Sequence, residues 1–432
     1  MTSDGHGVEY VFHPVGQGLF ASGALGNFRH GQWIGERVGD IRFQWVYDCG
    51  TVSADKHLDW AIHRFVAKRA QLTKQLGLLA LSHFDRDHIS GVVRLLSHVD
   101  VDVLLLPYIP LHERVLLAIE EEIGADDPLL RFFVDPVAYL READIRGVRR
   151  LVFVRGGSSE GRRNGESPPL PDAGEQRSLP DGEFLLEFES RPFDEAGAAP
   201  SGAQGNLGQV LEIDSGSPLY LAALWEFVPY NDIDQGTVLN SSFKEEVGLI
   251  ADRLRKAPSD AARGKALDDL KLRYDKQFGK GSKSRNVISL FLYAGSIHPW
   301  YSEGRSNFSV EHSSKGDIAT YQRARSTGGR MRGSILYTGD GYLNTDARML
   351  SLKDCLKKHR IDSVAVFQVM HHGANGNWKP GVAATLDPLF SVFSSDPSAK
   401  KPGHPHAEVL RDFWQHAPIQ VDKRAMATFH FY

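Results

Sequence analysis

Ser82-His83-Phe84-Asp85-Arg86-Asp87-His88-Ile89-Ser90-Gly91 follows directly on the apolar run Leu78 to Leu81 and leads into a second, Val92 to Leu96. Two histidines and two carboxylates therefore fall within six residues at the end of a predicted buried strand and just before a predicted helix. On a tight loop alternate residues project together, so His83 and Asp85 can face one metal ion. The turn then redirects Asp87 and His88 toward a second. The plainer alternative is a polar loop whose acids and histidines are solvated.

Other apolar runs end in the same way. Phe43 to Tyr47 stops at Asp48, Ile335 to Tyr337 stops short of Asp340, and Val364 to Met370 stops at His371. With helices predicted over Leu58 to Gln75 and Thr345 to Arg360, this is an α/β layout in which chemistry-bearing residues sit at strand ends.

The 432 residues are 41% hydrophobic and 24% charged, which excludes a wholly disordered, collagen-like or coiled-coil chain. Two cysteines, Cys49 and Cys355, are too few for a disulfide framework or a thiolate zinc site. No apolar run reaches membrane-spanning length and the first residues lack the pattern of a signal peptide, so a soluble cytoplasmic protein without a membrane partner is expected. Fifty basic and 54 acidic side chains give a net charge of -4, so any nucleic-acid contact has to come from a local patch.

Two stretches stand apart. Residues 156–206 are rich in Gly, Ser, Pro, Asp and Arg and are expected to form a long surface loop. Residues 251–285 hold eleven Lys or Arg against five Asp, a local balance of +6. Pro258 and Gly264 are expected to limit any helix there.

The segment from Ser82 to His88 resembles the H-x-H-x-D-H hallmark of the metallo-β-lactamase fold, with Asp85 where most members have their second histidine. That variant is similar to the hydrolase domain of ComEC-type competence proteins. Four further regions resemble the same subgroup in the same order. They are Val15-Gly16-Gln17-Gly18, Tyr47-Asp48-Cys49-Gly50, Leu336-Tyr337-Thr338-Gly339-Asp340, and the pair Val369-Met370-His371-His372-Gly373 and Gly403-His404-Pro405-His406-Ala407-Glu408-Val409-Leu410. Asn286-Val287-Ile288-Ser289 fits the subgroup's N-x-x-S segment.

The resemblance implies a single α/β domain over residues 1–432, an αββα four-layer sandwich with residues 107–285 as an insertion or lid. It implies metal ligation by His83, Asp85, Asp87, His88, Asp340 and His371, with His404 as either the last ligand or a substrate contact, and further substrate contacts from Asn286, Ser289 and Lys379. Two divalent ions bring four positive charges and three aspartates return three, so a bridging hydroxide would balance the cluster. Asp85 in place of an imidazole hardens the site toward Mn²⁺, with Zn²⁺ as runner-up. Asp87 would orient the hydroxide and His372 would protonate the leaving group.

The expected activity is that of a phosphodiesterase or nuclease on DNA, with residues 251–285 and Arg323, Arg325, Arg330 and Arg332 as a phosphate track and Tyr274 and Trp300 as stacking partners. Two alternatives stand beside it. One is hydrolysis of a small ester, lactone or cyclic nucleotide, and the other is a non-catalytic subunit partnering proteins in a bacterial defence complex.

Overall fold

The computed structural model describes residues 5–28, 40–69, 75–156, 185–194, 205–222, 224–231, 241–278, 288–297, 306–312, 318–323, 332–398 and 403–431. Most of the 156–206 loop, Asn286, Trp300, Arg325, Arg330 and the side chain of Arg323 lie outside them.

The chain begins with β1 (Gly5–Phe12), β2 (Phe20–Phe28) and β3 (Asp40–Cys49), followed by α1 (Asp55–Arg69) and β4 (Gln75–Ala80). A single turn α2 (Arg86–Ile89) and α3 (Val92–His98) lead to β5 (Asp100–Pro107). Helices α4 (Leu111–Glu120), α5 (Pro128–Val134) and α6 (Pro136–Glu142) precede β6 (Gly147–Arg155). Strands β7 (Arg191–Pro192), β8 (Leu207–Asp214), β9 (Leu219–Leu221) and β10 (Trp225–Asn231) come next, then α7 (Ser241–Arg255) and α8 (Asp260–Phe278). The rest comprises β11 (Leu290–Ser296), β12 (Ser306–His312), β13 (Ile318–Arg323), β14 (Ser334–Tyr337), α9 (Asp346–Ile361) and β15 (Val364–Gln368). The chain closes with α10 (Val382–Leu386), β16 (Phe390–Ser394), α11 (Ala407–Asp412), β17 (Pro418–Val421) and β18 (Ala425–Phe431).

The described strands form two mixed sheets, in the orders β13-β12-β18-β1-β2-β3-β4-β5-β6-β8-β7 and β17-β16-β15-β14-β11-β10-β9. Strand alternation gives each sheet two apolar faces. In β3, Trp45 and Tyr47 point to the second sheet while Val46 packs with Leu58, Ile62 and Phe65 of α1. In β14, Ile335 and Tyr337 point to the first sheet and Leu336 packs with Met349, Leu352 and Leu356 of α9.

Aromatic contacts join the sheets: Tyr47 stacks on Tyr337 at 4.6 Å, and Trp45 meets Phe227 edge-on at 5.1 Å. Burying each such side chain is worth about 1.5–3 kcal/mol, which fixes the sheets face to face. No helix among the described residues is long and apolar enough to cross a membrane.

Residues 107–285 supply β6 to β10 to both sheets as well as helices α4 to α8. Pro258 falls between α7 and α8 as expected, but Gly264 sits inside α8, where an added Cβ would meet only the Cβ of Ala125, at 3.7 Å. Packing overrides the intrinsic helix penalty of glycine here.

Strands β3 to β6 and β8 run parallel in the first sheet, and β14 to β17 in the second. In each set the carboxyl ends therefore share one edge, and Asp48, His83, Asp340, His371 and Ser394 lie at or just beyond those ends.

Candidate metal centre

The first sheet delivers its residues through the turn α2, which is clamped from below. Leu19 donates its N–H to the Asp87 carbonyl at 3.0 Å, and Gly91 to the Cys49 carbonyl at 2.8 Å. Gly18 has φ +147, and a Cβ there would stand 2.7 Å from the Asp87 carbonyl oxygen, so only glycine allows this approach. Phe84, between the two expected ligands His83 and Asp85, packs on Phe132 and Phe133 of α5. Arg86 pairs with Asp127.

The second sheet delivers Asp340 after β14 and the pair His371 and His372 after β15. His371 and His372 both take left-handed backbone angles, φ 44 and 55, as does Asp48 at φ 56. Such conformations cost of order 1 kcal/mol or more each and persist only where their surroundings over-determine them.

The constraint is visible in Gln368, which is buried at the end of β15. Its Oε1 accepts from the N–H groups of Thr338 and Gly339 at 2.8 and 2.7 Å, while its Nε2 donates to the Val369 carbonyl at 2.9 Å. His371 donates its own N–H to the Gly339 carbonyl at 2.9 Å.

Ring partners fix the tautomers of four histidines. His88 Nδ1 lies 2.7 Å from Asp48 Oδ2, and His372 Nδ1 is bonded to the Ser394 carbonyl, so both nitrogens must donate. Ser82 gives its hydroxyl proton to Asp48 at 2.7 Å, which leaves its oxygen to accept from His83 Nδ1 at 2.8 Å. Asn377 Nδ2 donates to the carbonyls of Asp340 and Gly341, so the end facing His371 Nδ1 at 2.9 Å is the acceptor Oδ1. All four rings therefore hold a proton on Nδ1 and present Nε2, as a lone pair or as a second N–H, to the centre.

Those Nε2 atoms converge on carboxylates. Asp340 Oδ1 lies 3.1 Å from His88 Nε2 and 3.8 Å from His372 Nε2. Its Oδ2 lies 3.4 Å from His371 Nε2 and 3.9 Å from His83 Nε2. Asp87 Oδ2 is 3.1 Å from His372 Nε2, and Asp85 Oδ2 is 3.4 Å from His83 Nε2.

An imidazole lone pair facing a carboxylate oxygen is repulsive unless a cation or proton stands between them. Two donors each about 2.1 Å from one ion stand roughly 3.0–3.5 Å apart, the spacing of four of these six pairs, and the other two stand at 3.8 and 3.9 Å. His83 Nε2, His88 Nε2 and Asp340 Oδ1 are moreover buried without a hydrogen-bond partner. Two groups could thus hold an ion: Asp87, His88, Asp340 and His372, and His83 with Asp85 and Asp87.

The electrostatics agree. Burial opposes the charged form of His88, yet Asp340, Asp87 and Asp48 outweigh it and hold the ring well above its ordinary value. His372 and His83 are likewise raised against burial, by Asp340 and Asp87 in one case and mainly Asp85 in the other. Burial would push the Asp87 carboxyl up, but His88 and His372 bring it to about 2. Asp340 is held well below the carboxylate range by His371, His88 and His372 against the same burial. The cluster draws positive charge.

The structure places four more of the expected site residues. His372, expected as proton donor, is 1% exposed and sits among the ligand atoms. His404, expected as a ligand or a substrate contact, stands beside the cluster, its ring 5.3 Å from that of His371 and its Nδ1 3.2 Å from His406 Nδ1. Burial and the neighbouring His371, His372 and His406 lower it to about 4, so it is neutral.

Ser289, expected to touch substrate, is buried and donates its hydroxyl to the Thr338 carbonyl at 3.1 Å. Lys379 pairs with Asp346.

Of the basic stretch, Lys280, Lys283 and Arg285 lie outside the described residues. Arg253, Arg255, Lys256, Arg263 and Arg273 pair with acids, while Leu254, Leu267, Leu270 and Tyr274 join the core that packs behind the His83 loop. Arg332 pairs with Asp387.

Sequence reading missed the jobs of Asp48, Gln368 and Asn377. A polar Gln368 closing the apolar run Val364 to Phe367 is the one signal that could have marked its position. No protein-family model and no curated protein matches this chain.

Proposed function

We propose that this chain is a dinuclear metal-dependent hydrolase of the metallo-β-lactamase-like αββα type, acting on phosphodiesters, with DNA as the first substrate to test. The observation that carries the reading is the convergence of four Nε2 atoms on the two faces of Asp340. The sheet-on-sheet core with helices packed outside each sheet, and the mixed donors, support it.

One ion would be held by Asp87, His88, His372 and Asp340, the other by His83, Asp85 and Asp87, with His371 reaching it across Asp340 Oδ2. Divalent ions there, Mn²⁺ or Zn²⁺, would supply Lewis acidity toward a phosphoryl oxygen and lower the pKa of water.

The chain's own residues do the rest. Asp87, ionised at neutral pH, offers a carboxylate oxygen at the centre of the cluster for holding a proton of attacking water. Neutral His404, half-buried beside His371, can contact the substrate at the mouth without adding charge. Helix α5 braces the His83 loop through Phe84, and apolar residues of α4, α6, α7 and α8 join the same core behind it.

The ion pairing of the 251–285 stretch favours a second reading on one point, a small phosphodiester or ester instead of a long nucleic acid. Hydrolysis of single-stranded DNA and of a small chromogenic diester by the wild type, His83→Ala and Asp87→Ala tests both. The proposal expects the variants to lose hydrolysis. Salt-sensitive competition by long DNA selects the first reading, and variants as active as the wild type would contradict hydrolysis at this site.

A further inference from the structure

Asn377 is buried to 1% exposure and touches both sides of the second-sheet half of the centre. Its Nδ2 donates to the Asp340 carbonyl at 2.7 Å and to the Gly341 carbonyl at 3.2 Å, and its Oδ1 accepts from His371 Nδ1 at 2.9 Å. Carbonyl oxygens only accept, so the amide cannot turn over without facing its own oxygen to two others. The His371 orientation follows from that constraint: Nδ1 carries a proton, and Nε2 faces Asp340 Oδ2 at 3.4 Å.

On the other side of Asp340 the corresponding job is done differently. His88 is held by the Asp48 carboxylate and His372 by the Ser394 main-chain carbonyl, with both rings fully buried. His371 is 26% and Asp85 29% exposed, and the partners behind His371 and His83 are a neutral amide and a hydroxyl. A carboxylate behind an imidazole raises its basicity toward a metal, whereas a neutral acceptor only orients it.

We propose that Asn377 is a positioning residue for the outer ion position, the one formed by His83, Asp85 and Asp87 with His371 facing it across Asp340 Oδ2, and that this position binds its ion more weakly than the inner one backed by Asp48. The inference rests on the two-ion reading of the centre. It predicts stepwise filling, with the inner position occupied first and the outer one tuned by a single amide. Loss of the acceptor frees His371 to rotate or to carry its proton on Nε2, which removes one donor from the outer ion and none from the inner. Asn377→Asp keeps the acceptor toward His371, although it loses both donor contacts.

The test is equilibrium dialysis of the full-length chain against Mn²⁺, and in parallel Zn²⁺, with bound metal counted by elemental analysis and folding followed by circular dichroism. The wild type is expected to bind two ions in two steps. In Asn377→Leu the weaker step is expected to move to about 10–100-fold higher concentration with the tighter step unchanged. Asn377→Asp, which puts a carboxylate behind His371, is expected to retain the weaker step or tighten it, and Asp48→Asn to weaken the tighter step. Folded Asn377→Leu protein with both steps unchanged, or Asn377→Asp losing the weaker step as Asn377→Leu does, overturns the inference and leaves the two-ion centre standing. A wild type that binds neither metal overturns the centre itself. Should Asn377→Leu fail to fold, the Asn377→Asp and Asp48→Asn titrations alone decide it.

Discussion

The two sheets build the two halves of the centre in opposite ways. The first sheet supplies His83, Asp85, Asp87 and His88 from one contiguous loop ending in a helical turn, whose backbone is pinned by the Leu19 and Gly91 hydrogen bonds. The second supplies Asp340, His371 and His372 from two separate strand ends, with left-handed backbone at both histidines and a buried amide, Gln368, tying one loop to the other. A contiguous loop can be specified by local sequence. An assembled half depends on tertiary hydrogen bonds between segments about thirty residues apart, and so should be the more fragile of the two.

The largest expected effect breaks the comparison at the residue that faces histidines of both positions. Asp340→Asn removes the charge that faces all four imidazoles and should lower kcat/KM by about a thousandfold or more, several kcal/mol of lost charge stabilisation. Asp85→Asn touches the outer position alone and should cost less, about ten- to a hundredfold. Equal losses in the two variants would mean that the halves are not distinguishable.

Next in size is the brace of the assembled half. Gln368→Leu leaves the buried N–H groups of Thr338 and Gly339 without their acceptor, and urea unfolding should show a loss of about 2–4 kcal/mol. A loss under about 0.5 kcal/mol would show that the loops hold without it.

The smallest effect belongs to the first sheet, where His13 is buried against Phe20 and contacts Ser22 Oγ at 2.9 Å. Burial, with Lys68 and Arg64 nearby, lowers it to about 3. Its folded value lies below its unfolded one, so the folded state binds fewer protons. Its contribution is full above pH 6.5 and is lost as the pH falls from 6.5 toward 3, at most about 1.4 kcal/mol per pH unit. Between about pH 6.5 and 5 the wild type should lose up to about 2 kcal/mol more than His13→Gln, read from unfolding curves at each pH.

The same contrast explains what the sequence could and could not say. The strand before His83, the helix that starts after Thr345 and the placing of Asp340 at a strand end were all legible, because buried parallel strands are continuous apolar runs and their ends carry the polar residues. Asn377 was not, since nothing in Asn375-Gly376-Asn377 separates a residue that fixes a tautomer from one that only makes a turn. Which histidines stand among the converging donor atoms was beyond sequence too, because the adjacent His371 and His372 point to opposite sides of Asp340 only once the backbone turns left-handed. The basic stretch shows a related limit: its net charge is visible in the chain, but the ion pairs of its described residues and their apolar face toward α4 and α5 exist only after folding.

The central claim, two ions on the two faces of one aspartate, is tested most directly by anomalous diffraction at the manganese edge from crystals grown with Mn²⁺. Two peaks about 3.5–4 Å apart, one beside His88 and His372 and the other beside His83 and His371, are the predicted result. Density free of any such peak around Asp340, or a lone peak at His404 and His406, would contradict it.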